Sequence, residues 1–302
     1  MVKVIDSGVQ KILLEANNHW ENNEYFQSVE KYKEALFFLE DEDKIEVLFQ
    51  IADIFSDIEN YKGANKTYSE ILDINPNISG AWYGLAFTNE IIGGDIKNSL
   101  SYYEKAIELD KEYKEAYYYA ATIYGDLNEN HKAIEYLNKV IDLDPDDFVS
   151  YNDLGSIYES LKDYDKAVEY LNKSISINSN YYLSYFNLGV VYKAMGDYKK
   201  ALKYYMKSTE FSNSRFNYLN MSAIYIELKE YKKAIDILTE GIKRNPHHIL
   251  YYNRACSYSK MGDIKKALED FKKAYEIDTV VMDWAKKDPD LKDIIQEEKW
   301  LY

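Results

Sequence analysis

Hydrophobic residues recur along this chain with the period of an α-helix. Between residues 151 and 161 they follow one another at steps of three and four: Tyr151, Leu154, Ile157, Tyr158 and Leu161. The stretch from Val168 to Ile175 repeats this spacing, which places apolar side chains on one face of a helix. No stretch alternates apolar and polar residues as a half-buried strand would. The pattern therefore predicts an all-α chain.

The predicted helices come in pairs, and the pairs repeat. The segment Tyr151-Asn-Asp-Leu-Gly-Ser-Ile-Tyr158 aligns with Tyr185-Phe-Asn-Leu-Gly-Val-Val-Tyr192 and with Trp82-Tyr-Gly-Leu-Ala-Phe-Thr-Asn89. A turn and a second helix follow, and that helix begins with segments such as Tyr164-Asp-Lys-Ala167 and Tyr198-Lys-Lys-Ala201. Successive copies of both segments are 34 residues apart.

These features resemble the tetratricopeptide repeat. In that repeat the first helix carries a large aromatic residue, then Leu-Gly or Leu-Ala, and then Tyr. The second helix carries alanine at set positions. The resemblance covers about nine-tenths of the chain and divides it into eight repeats of 33 to 36 residues: 9–44, 45–78, 79–113, 114–147, 148–181, 182–214, 215–247 and 248–281. It implies an all-α, right-handed superhelical solenoid of about eight antiparallel helix pairs. Because one pair cannot bury its own apolar face, stability would come from stacked neighbours.

The two ends of such an array need covers, because no further repeat packs on them. Residues 1–8 form a short N-terminal lead-in. Residues 282–302 predict a C-terminal capping helix whose covering residues are Trp284, Leu291, Ile294 and Ile295, with Trp300 as a further candidate. Within the repeats, small residues should let the paired helices approach closely: Gly155, Ala167, Gly189 and Ala201.

Composition indicates where the protein is located and argues against a membrane span and a disulfide. The chain lacks a run of about 18 apolar residues. Its first eight residues lack the apolar core of a signal peptide, so we expect a cytoplasmic protein that does not span a membrane. Its use of Asn, Lys, Ile and Tyr is typical of an AT-rich bacterial genome. The single cysteine, Cys256, excludes an intrachain disulfide, and we interpret it as a small packing residue rather than a reactive thiol.

Charge is unevenly distributed along the chain, whose formal net charge is −15. Residues 1–150 contain 13 Lys and Arg against 30 Asp and Glu, a net charge of −17. Residues 151–302 contain 24 against 22, a net charge of +2. An acidic surface repels phosphates, so we expect no nucleic-acid partner. The split has two interpretations: it keeps the protein soluble, or it steers a basic partner toward the N-terminal half.

The sequence offers no set of residues that we would nominate for catalysis. The four histidines do not form a metal-binding pattern: His19, His131, His247 and His248. Most of the 32 tyrosines occupy packing positions of the repeat, for example Tyr124, Tyr158, Tyr192, Tyr225 and Tyr258. We therefore expect no enzyme activity, no metal and no cofactor.

The resemblance also implies a binding groove, because the first helices of this family line a concave surface. On the repeat register the candidate peptide-binding residues are Phe49, Asp53, Asp57, Tyr83, Phe87, Glu90, Tyr118, Thr122, Asn152, Phe186, Asn187, Lys193, Asn220, Tyr252 and Asn253. Five repeats place an aromatic ring at one groove position, which is either an exposed binding stripe or a set of rings partly buried by neighbouring repeats. Acidic residues concentrate in the N-terminal half, whereas Asn187, Asn220 and Asn253 share a position from which amides can hold a peptide backbone.

We therefore predict a protein-interaction scaffold or adaptor whose groove holds an extended or helical peptide with basic residues toward the N-terminal repeats. Two alternatives remain. One is an assembly element that associates with itself in a salt-sensitive way, and the other is an accessory protein that binds a small regulatory ligand. The segment Tyr252-Asn253-Arg254-Ala255 resembles part of the chaperone-tail clamp of this family, but Leu219 and Ala223 stand where that clamp needs Lys and Asn.

Overall fold

The structure is a computed structural model that describes residues 6–292 and residue 295. These residues form seventeen α-helices and no strand, in two compact units, Met1–Pro145 and Asp146–Tyr302. The first unit contains α1 (Ser7–Glu21), α2 (Tyr25–Leu36), α3 (Asp41–Asp57), α4 (Tyr61–Ile74), α5 (Ser79–Ile91), α6 (Ile96–Leu109), α7 (Lys114–Asp126) and α8 (Asn130–Leu143). The second contains α9 (Phe148–Ser160), α10 (Tyr164–Ile177), α11 (Tyr182–Ala194), α12 (Tyr198–Ser208), α13 (Arg215–Glu227), α14 (Tyr231–Arg244), α15 (His248–Lys260), α16 (Ile264–Ile277) and α17 (Val281–Ala285).

The helices pack as consecutive pairs, which confirms the predicted all-α fold. Each odd-numbered helix from α1 to α15 packs along the even-numbered helix that follows it. Within each unit, the second helix of one pair also packs against the first helix of the next pair. No helix in the described part of the chain has the length and hydropathy needed to cross a membrane.

The same turn ends the first helix in all eight pairs of the described chain. One residue of each turn has a φ between 57° and 80°, in the left-handed region: Asn23, Glu59, Gly93, Asn128, Lys162, Gly196, Lys229 and Gly262. The N–H of the next residue donates to a carbonyl five residues earlier, as from Asp163 to Tyr158 at 2.9 Å. This bond satisfies a carbonyl that the helix end would leave without a partner. The turn then reverses the chain, so the two helices of a pair run antiparallel.

Small residues bring the two helices of a pair close together. A Cβ atom added to Gly155 would lie 2.5 Å from the Leu171 side chain, and one added to Gly189 would lie 2.6 Å from Tyr205. The other six pairs carry alanine or serine at the same position, and all are buried: Ala16, Ala52, Ala86, Ala121, Ser222 and Ala255. The predicted close approach at Gly155 and Gly189 is therefore confirmed.

Tyrosines near the end of the first helix have a packing role in five pairs. A lysine from the second helix lies with its Nζ 4.6 to 5.6 Å from the ring centre, in the pairs Tyr124–Lys132, Tyr158–Lys166, Tyr192–Lys200, Tyr225–Lys233 and Tyr258–Lys266. Each of these lysines also forms an ion pair with the acidic residue three positions earlier. The rings are buried or half-buried, as the packing interpretation of these tyrosines predicted.

The described part of the C-terminal cover is α17, which packs against α15 and α16 at the start of the capping helix predicted over residues 282–302. Helix α17 ends at Ala285, and a turn follows it. Pro289 accounts for the break, because proline lacks an N–H group and disfavours helical backbone at the preceding residue. The predicted covering residues Ile294 and Trp300 lie outside the described residues.

Replacing Lys162 by glycine should raise the free energy of unfolding by about 0.5–1 kcal/mol, because glycine adopts the left-handed conformation without the steric cost that a lysine bears. Chemical unfolding followed by circular dichroism measures the change. The reciprocal variant, Gly196→Ala, is the control and should lose a similar amount of stability. A Lys162→Gly protein that is less stable than the natural chain would contradict this account of the turn.

Candidate functional site

The first helices of the first unit lie side by side. The Trp20 Nε1–H on α1 donates to Asp57 Oδ2 on α3 at 3.1 Å. The Phe49 ring on α3 lies against Gly80 at the start of α5, 3.6 Å from where a Cβ atom would stand. The sides of α1, α3, α5 and α7 that face away from the second helices form a continuous surface, which we term the first-helix face. It carries eight of the predicted groove residues: Phe49, Asp53, Asp57, Tyr83, Phe87, Glu90, Tyr118 and Thr122.

An aromatic cluster occupies the middle of the first-helix face. The Tyr83 ring has its centre 5.0 to 6.3 Å from the centres of four other rings, those of Phe87, Tyr103, Tyr113 and Tyr119. Tyr103, from α6, is fully buried beneath the cluster, whereas Tyr83 and Phe87 are half-buried. Burial among these rings raises the pKa of Tyr83. Tyr83 and Phe87 are among the residues predicted from the sequence, whereas Tyr113 and Tyr119, which belong to the next helix pair, are not.

Four carboxylates lie on the same first helices: Asp53 and Asp57 on α3, Glu90 on α5, where it contacts the cluster through Tyr103, and Asp126 at the end of α7. Partial desolvation, and secondarily the Asp57 carboxylate, raise the pKa of Asp53. Desolvation and the nearby Asp126 also raise the pKa of Glu90, although its 2.6 Å hydrogen bond from Tyr103 Oη opposes them. Like charges and burial both disfavour the ionised form. The face therefore holds acidic groups that a nearby cation would stabilise.

The few basic residues on these helices are engaged elsewhere. Helices α3, α5 and α7 contain nine Asp and Glu residues but only two lysines. Lys44 lies 3.5 Å from Asp41, and Lys114 lies 2.8 Å from Asp144. Among the described residues, no lysine or arginine forms an ion pair with Asp53, Asp57, Glu90 or Asp126.

In the second unit, two predicted groove residues belong to a buried polar network. Asn152, with 3% of its surface exposed, accepts hydrogen bonds from Ser184 Oγ at 3.2 Å and from Asn187 Nδ2 at 3.0 Å. The Ser184 and Ser174 hydroxyls are also hydrogen-bonded, at 2.7 Å. The network joins α9, α10 and α11. Asn152 therefore hydrogen-bonds inside the protein. Four other pairs have a half-buried aromatic ring at the same position.

The remaining asparagines of the predicted row bond largely to their own helices. Asn220 Nδ2 donates to the Phe216 carbonyl at 3.0 Å, and Asn253 Nδ2 donates to the Ile249 carbonyl at 2.8 Å. Lys193 Nζ donates to Asn220 Oδ1 at 3.5 Å. The side-chain N–H groups of Asn220 and Asn253 therefore already donate within the fold. They are less available to a peptide backbone than the sequence predicted.

The five groove aromatics are not an open stripe. Phe49, Tyr83, Tyr118 and Phe186 are half-buried, and Tyr252 has only 7% of its surface exposed. Both the same pair and the next one supply covering groups: the Tyr205 ring of the same pair lies 5.6 Å from that of Phe186, and the Tyr113 ring of the next pair lies 5.0 Å from that of Tyr83. Of the two interpretations that the sequence left open, partial burial describes this structure.

The C-terminal turn covers the first helix of the last pair. Tyr252 Oη donates to Asp288 Oδ2 at 2.9 Å, and the Cys256 thiol lies 3.6 Å from the same oxygen. Lys260 Nζ pairs with Asp290 at 2.7 Å. Burial, with the nearby carboxylates, raises the pKa of the Cys256 thiol. The ligand atoms of Cys256, Asp288 and Asp290 lie close enough together to bind a metal ion. Each is already engaged by these neighbours, so the cluster holds the turn against α15.

Arg254 is directed into the protein rather than toward the first-helix side of α15. Its Nε donates to Asp270 Oδ2 at 2.6 Å and its Nη2 to Asp270 Oδ1 at 2.7 Å, while Nη1 donates to Thr239 Oγ1 at 2.8 Å. Asp270 is 4% exposed. Within the segment Tyr252–Ala255, Arg254 therefore has an internal structural role.

Family models identify the repeated pair. Three models, each described as a tetratricopeptide repeat, match this chain. Their matches cover residues 146–214, 249–278, 45–78, 79–113, 114–147 and 217–248, which is well over half of the sequence. The chain belongs to the tetratricopeptide repeat family. Proteins of this family are generally scaffolds without enzymatic activity.

Solved structures show the same fold. A tetratricopeptide repeat protein from Parabacteroides merdae ATCC 43184 is 18% identical, with a TM-score of 0.62 over 83% of this chain and 98% of that chain. MamA is 28% identical, with a TM-score of 0.51 over 55% of this chain and 91% of that one. The APC/C hetero-tetramer Cut9-Hcn1 gives a TM-score of 0.57 at 16% identity, over 96% of this chain and 56% of that chain. Comparison with curated protein sequences gives no match.

The buried ion pair of this tetratricopeptide repeat protein yields a stability prediction. The Asp270→Asn variant should lose about 3–5 kcal/mol of unfolding free energy, because the buried Arg254 charge then lacks its partner. The double variant Arg254→Met/Asp270→Ile copies Met221 and Ile237, which occupy the same positions in the preceding pair, and should recover most of the loss. Chemical unfolding measures both. Equal stability of the single variant and the natural protein would contradict the assigned role.

Proposed function

We propose that this protein is a scaffold that binds a basic segment of a partner protein on the first-helix face of its first unit. The observation that carries the proposal is the group of four carboxylates on α3, α5 and α7, the helices of the first-helix face, none of which has an internal lysine or arginine partner among the described residues. A basic peptide would supply the missing cations.

The distribution of charge favours the first unit as the binding surface. Met1–Pro145 contains 13 Lys and Arg and 28 Asp and Glu, a net charge of −15, whereas Asp146–Tyr302 contains 24 of each. In the second unit, α9, α11, α13 and α15 together carry three acidic and four basic residues. A field of one sign steers oppositely charged partners and raises their association rate. The first unit alone provides such a field.

The aromatic cluster adds a second attraction for the same kind of ligand. Lysine and arginine bind the faces of tyrosine and phenylalanine rings through cation–π contacts, and the aliphatic stems of these residues pack on the ring surface. Tyr83 and Phe87 are half-buried, so parts of their rings remain open to a ligand. We expect arginine and lysine side chains of the partner to lie on these rings, with their charged groups reaching Asp53, Glu90 or Asp126.

Selection of peptides from a random-sequence library on the immobilised full chain tests the proposal directly. Bound sequences should be enriched in Lys and Arg, with their charges spaced to reach successive helices of the first unit. A selected pool with no basic enrichment would overturn the proposal, and enrichment in acidic residues would do so more strongly.

The Asp53→Asn/Asp126→Asn variant should weaken binding of a selected basic peptide by about 3- to 30-fold, because two exposed charge pairs are lost. Fluorescence anisotropy at two salt concentrations measures the loss, which should shrink as salt screens the charges. The matched control is Asp73→Asn/Asp142→Asn, which removes the same net charge from exposed positions on the second helices α4 and α8. Equal weakening in both variants would mean that net charge alone, rather than this face, attracts the peptide.

Affinity should also fall as the pH is lowered into the range where Asp53 and Glu90 protonate. Their pKa values are raised in the free protein, and a bound cation would lower them, so the complex holds fewer protons than the free state. Binding is therefore strongest above the raised pKa values and is lost as the pH falls through them. Titration of the peptide at several pH values, with Asp53→Asn as the less sensitive comparison, measures this dependence.

A further inference from the structure

Two phenylalanine rings project from the outer side of α2, away from the first-helix face. Phe26, in the first turn of this helix, has 77% of its surface exposed, and Phe37, just after its end, has 86%. A shallow groove of about 620 Å³ lies between them and is lined partly by Glu30 and Lys33. Soluble proteins seldom leave such large rings open on one face unless something binds there.

The other seven pairs show that the repeat itself does not require these rings. At the position of Phe26 they carry Lys, Asp or His, and at the position of Phe37 they carry Asp, Glu, Lys or Ser. In the second pair, for example, these residues are Lys62 and Asp73. All fourteen polar side chains are exposed. The two phenylalanines are therefore a specific feature of the first pair, where a terminal repeat would normally present a polar outer surface.

The exposed stripe of α2 is self-complementary. Phe26, Glu30, Lys33 and Phe37 follow one another at steps of four, three and four residues, which aligns them along one side of the helix over roughly 16 Å. Reading the stripe backward exchanges the two phenylalanines with each other and exchanges Glu30 with Lys33. An antiparallel copy of the same helix would thus place ring against ring and each glutamate against a lysine.

We propose that α2 is the contact helix of a symmetric dimer of this chain. The twofold axis passes between residues 31 and 32, so that Phe26 of one copy meets Phe37 of the other, and Glu30 meets Lys33, each contact occurring twice. A twofold interface requires a surface patch that complements itself, and the stripe meets this requirement in the order of its rings and its charges. Within one copy Glu30 and Lys33 lie 3.6 Å apart. Both charged groups are therefore placed to pair with Lys33 and Glu30 of the second copy.

The dimer should be weak and concentration-dependent. One helix face buries less surface than the roughly 800 Å² per partner of a standard stable interface. Because the contact is centred on apolar rings, it should persist in high salt, unlike an association in which acidic and basic ends attract. The proposal is independent of the basic-peptide site, whose residues lie on α3, α5 and α7.

Sedimentation velocity of the full chain, from low micromolar to several hundred micromolar protein, tests the association. The mass should rise from the 35.5 kDa monomer toward twice that value, at both low and high salt. The Phe26→Lys/Phe37→Lys variant, which copies Lys232 and Lys243 of the seventh pair, should dimerise at least tenfold more weakly, because like charges then replace the facing rings. Phe38→Asp is the matched control, because Phe38 is also exposed, at 64%, but does not line the groove. A natural chain that stays monomeric throughout would overturn the proposal.

Charge exchange tests the twofold register itself. The Glu30→Lys and Lys33→Glu variants should each dimerise poorly alone, because like charges then face each other across the axis. An equimolar mixture of the two should associate, since every crossed pair is again of opposite sign, and so should the double variant Glu30→Lys/Lys33→Glu. Thermal unfolding of each variant checks that the fold is retained. If the mixture associates no better than the single variants, the proposed register is wrong.

Discussion

Every helix pair of the described chain depends on the contact between one small residue in the first helix and the second helix that faces it. At Gly155 and Gly189 the space for a Cβ atom is already filled by Leu171 and Tyr205. Alanine or serine takes this position in the other pairs and is buried there. Close-packed interiors tolerate little change in volume, so this approach fixes the spacing of the two helices. It also commits one side of every first helix to packing and leaves the other side for different chemistry.

The two units use that remaining side differently. In the first unit it carries a cluster of aromatic rings and several carboxylates, two of which, Asp53 and Glu90, have raised pKa values. In the second unit, Asn152 is taken into an internal hydrogen-bond network, and Tyr252 is covered by the C-terminal turn. The same backbone arrangement therefore gives an acidic surface with half-buried aromatic rings in one unit, and in the other a surface whose polar groups are largely hydrogen-bonded within the protein.

Polar groups in these helices are accommodated by partners from the facing helix of the same pair or from the next pair. Arg254 occupies a position that is apolar in the preceding pair, and it is accommodated because Asp270 stands opposite it. Asn152 is buried without cost to its hydrogen bonding because Ser184 and Asn187 reach it from the next pair. Such pairings join residues more than ten positions apart, so the repeat pattern of a single helix does not predict them.

The sequence by itself determined the helices, their pairing and the small residues at their contacts, because helical periodicity and the repeat spacing are local properties of the chain. It also indicated that acidic residues concentrate in the N-terminal half. Only the tertiary structure decided which side chains remain available. It buried Asn152 and Tyr252, gathered Tyr113 and Tyr119 around Tyr83, and left Phe26 and Phe37 exposed. The physical reason is that exposure is set by neighbours from other pairs, whose reach the register alone does not specify.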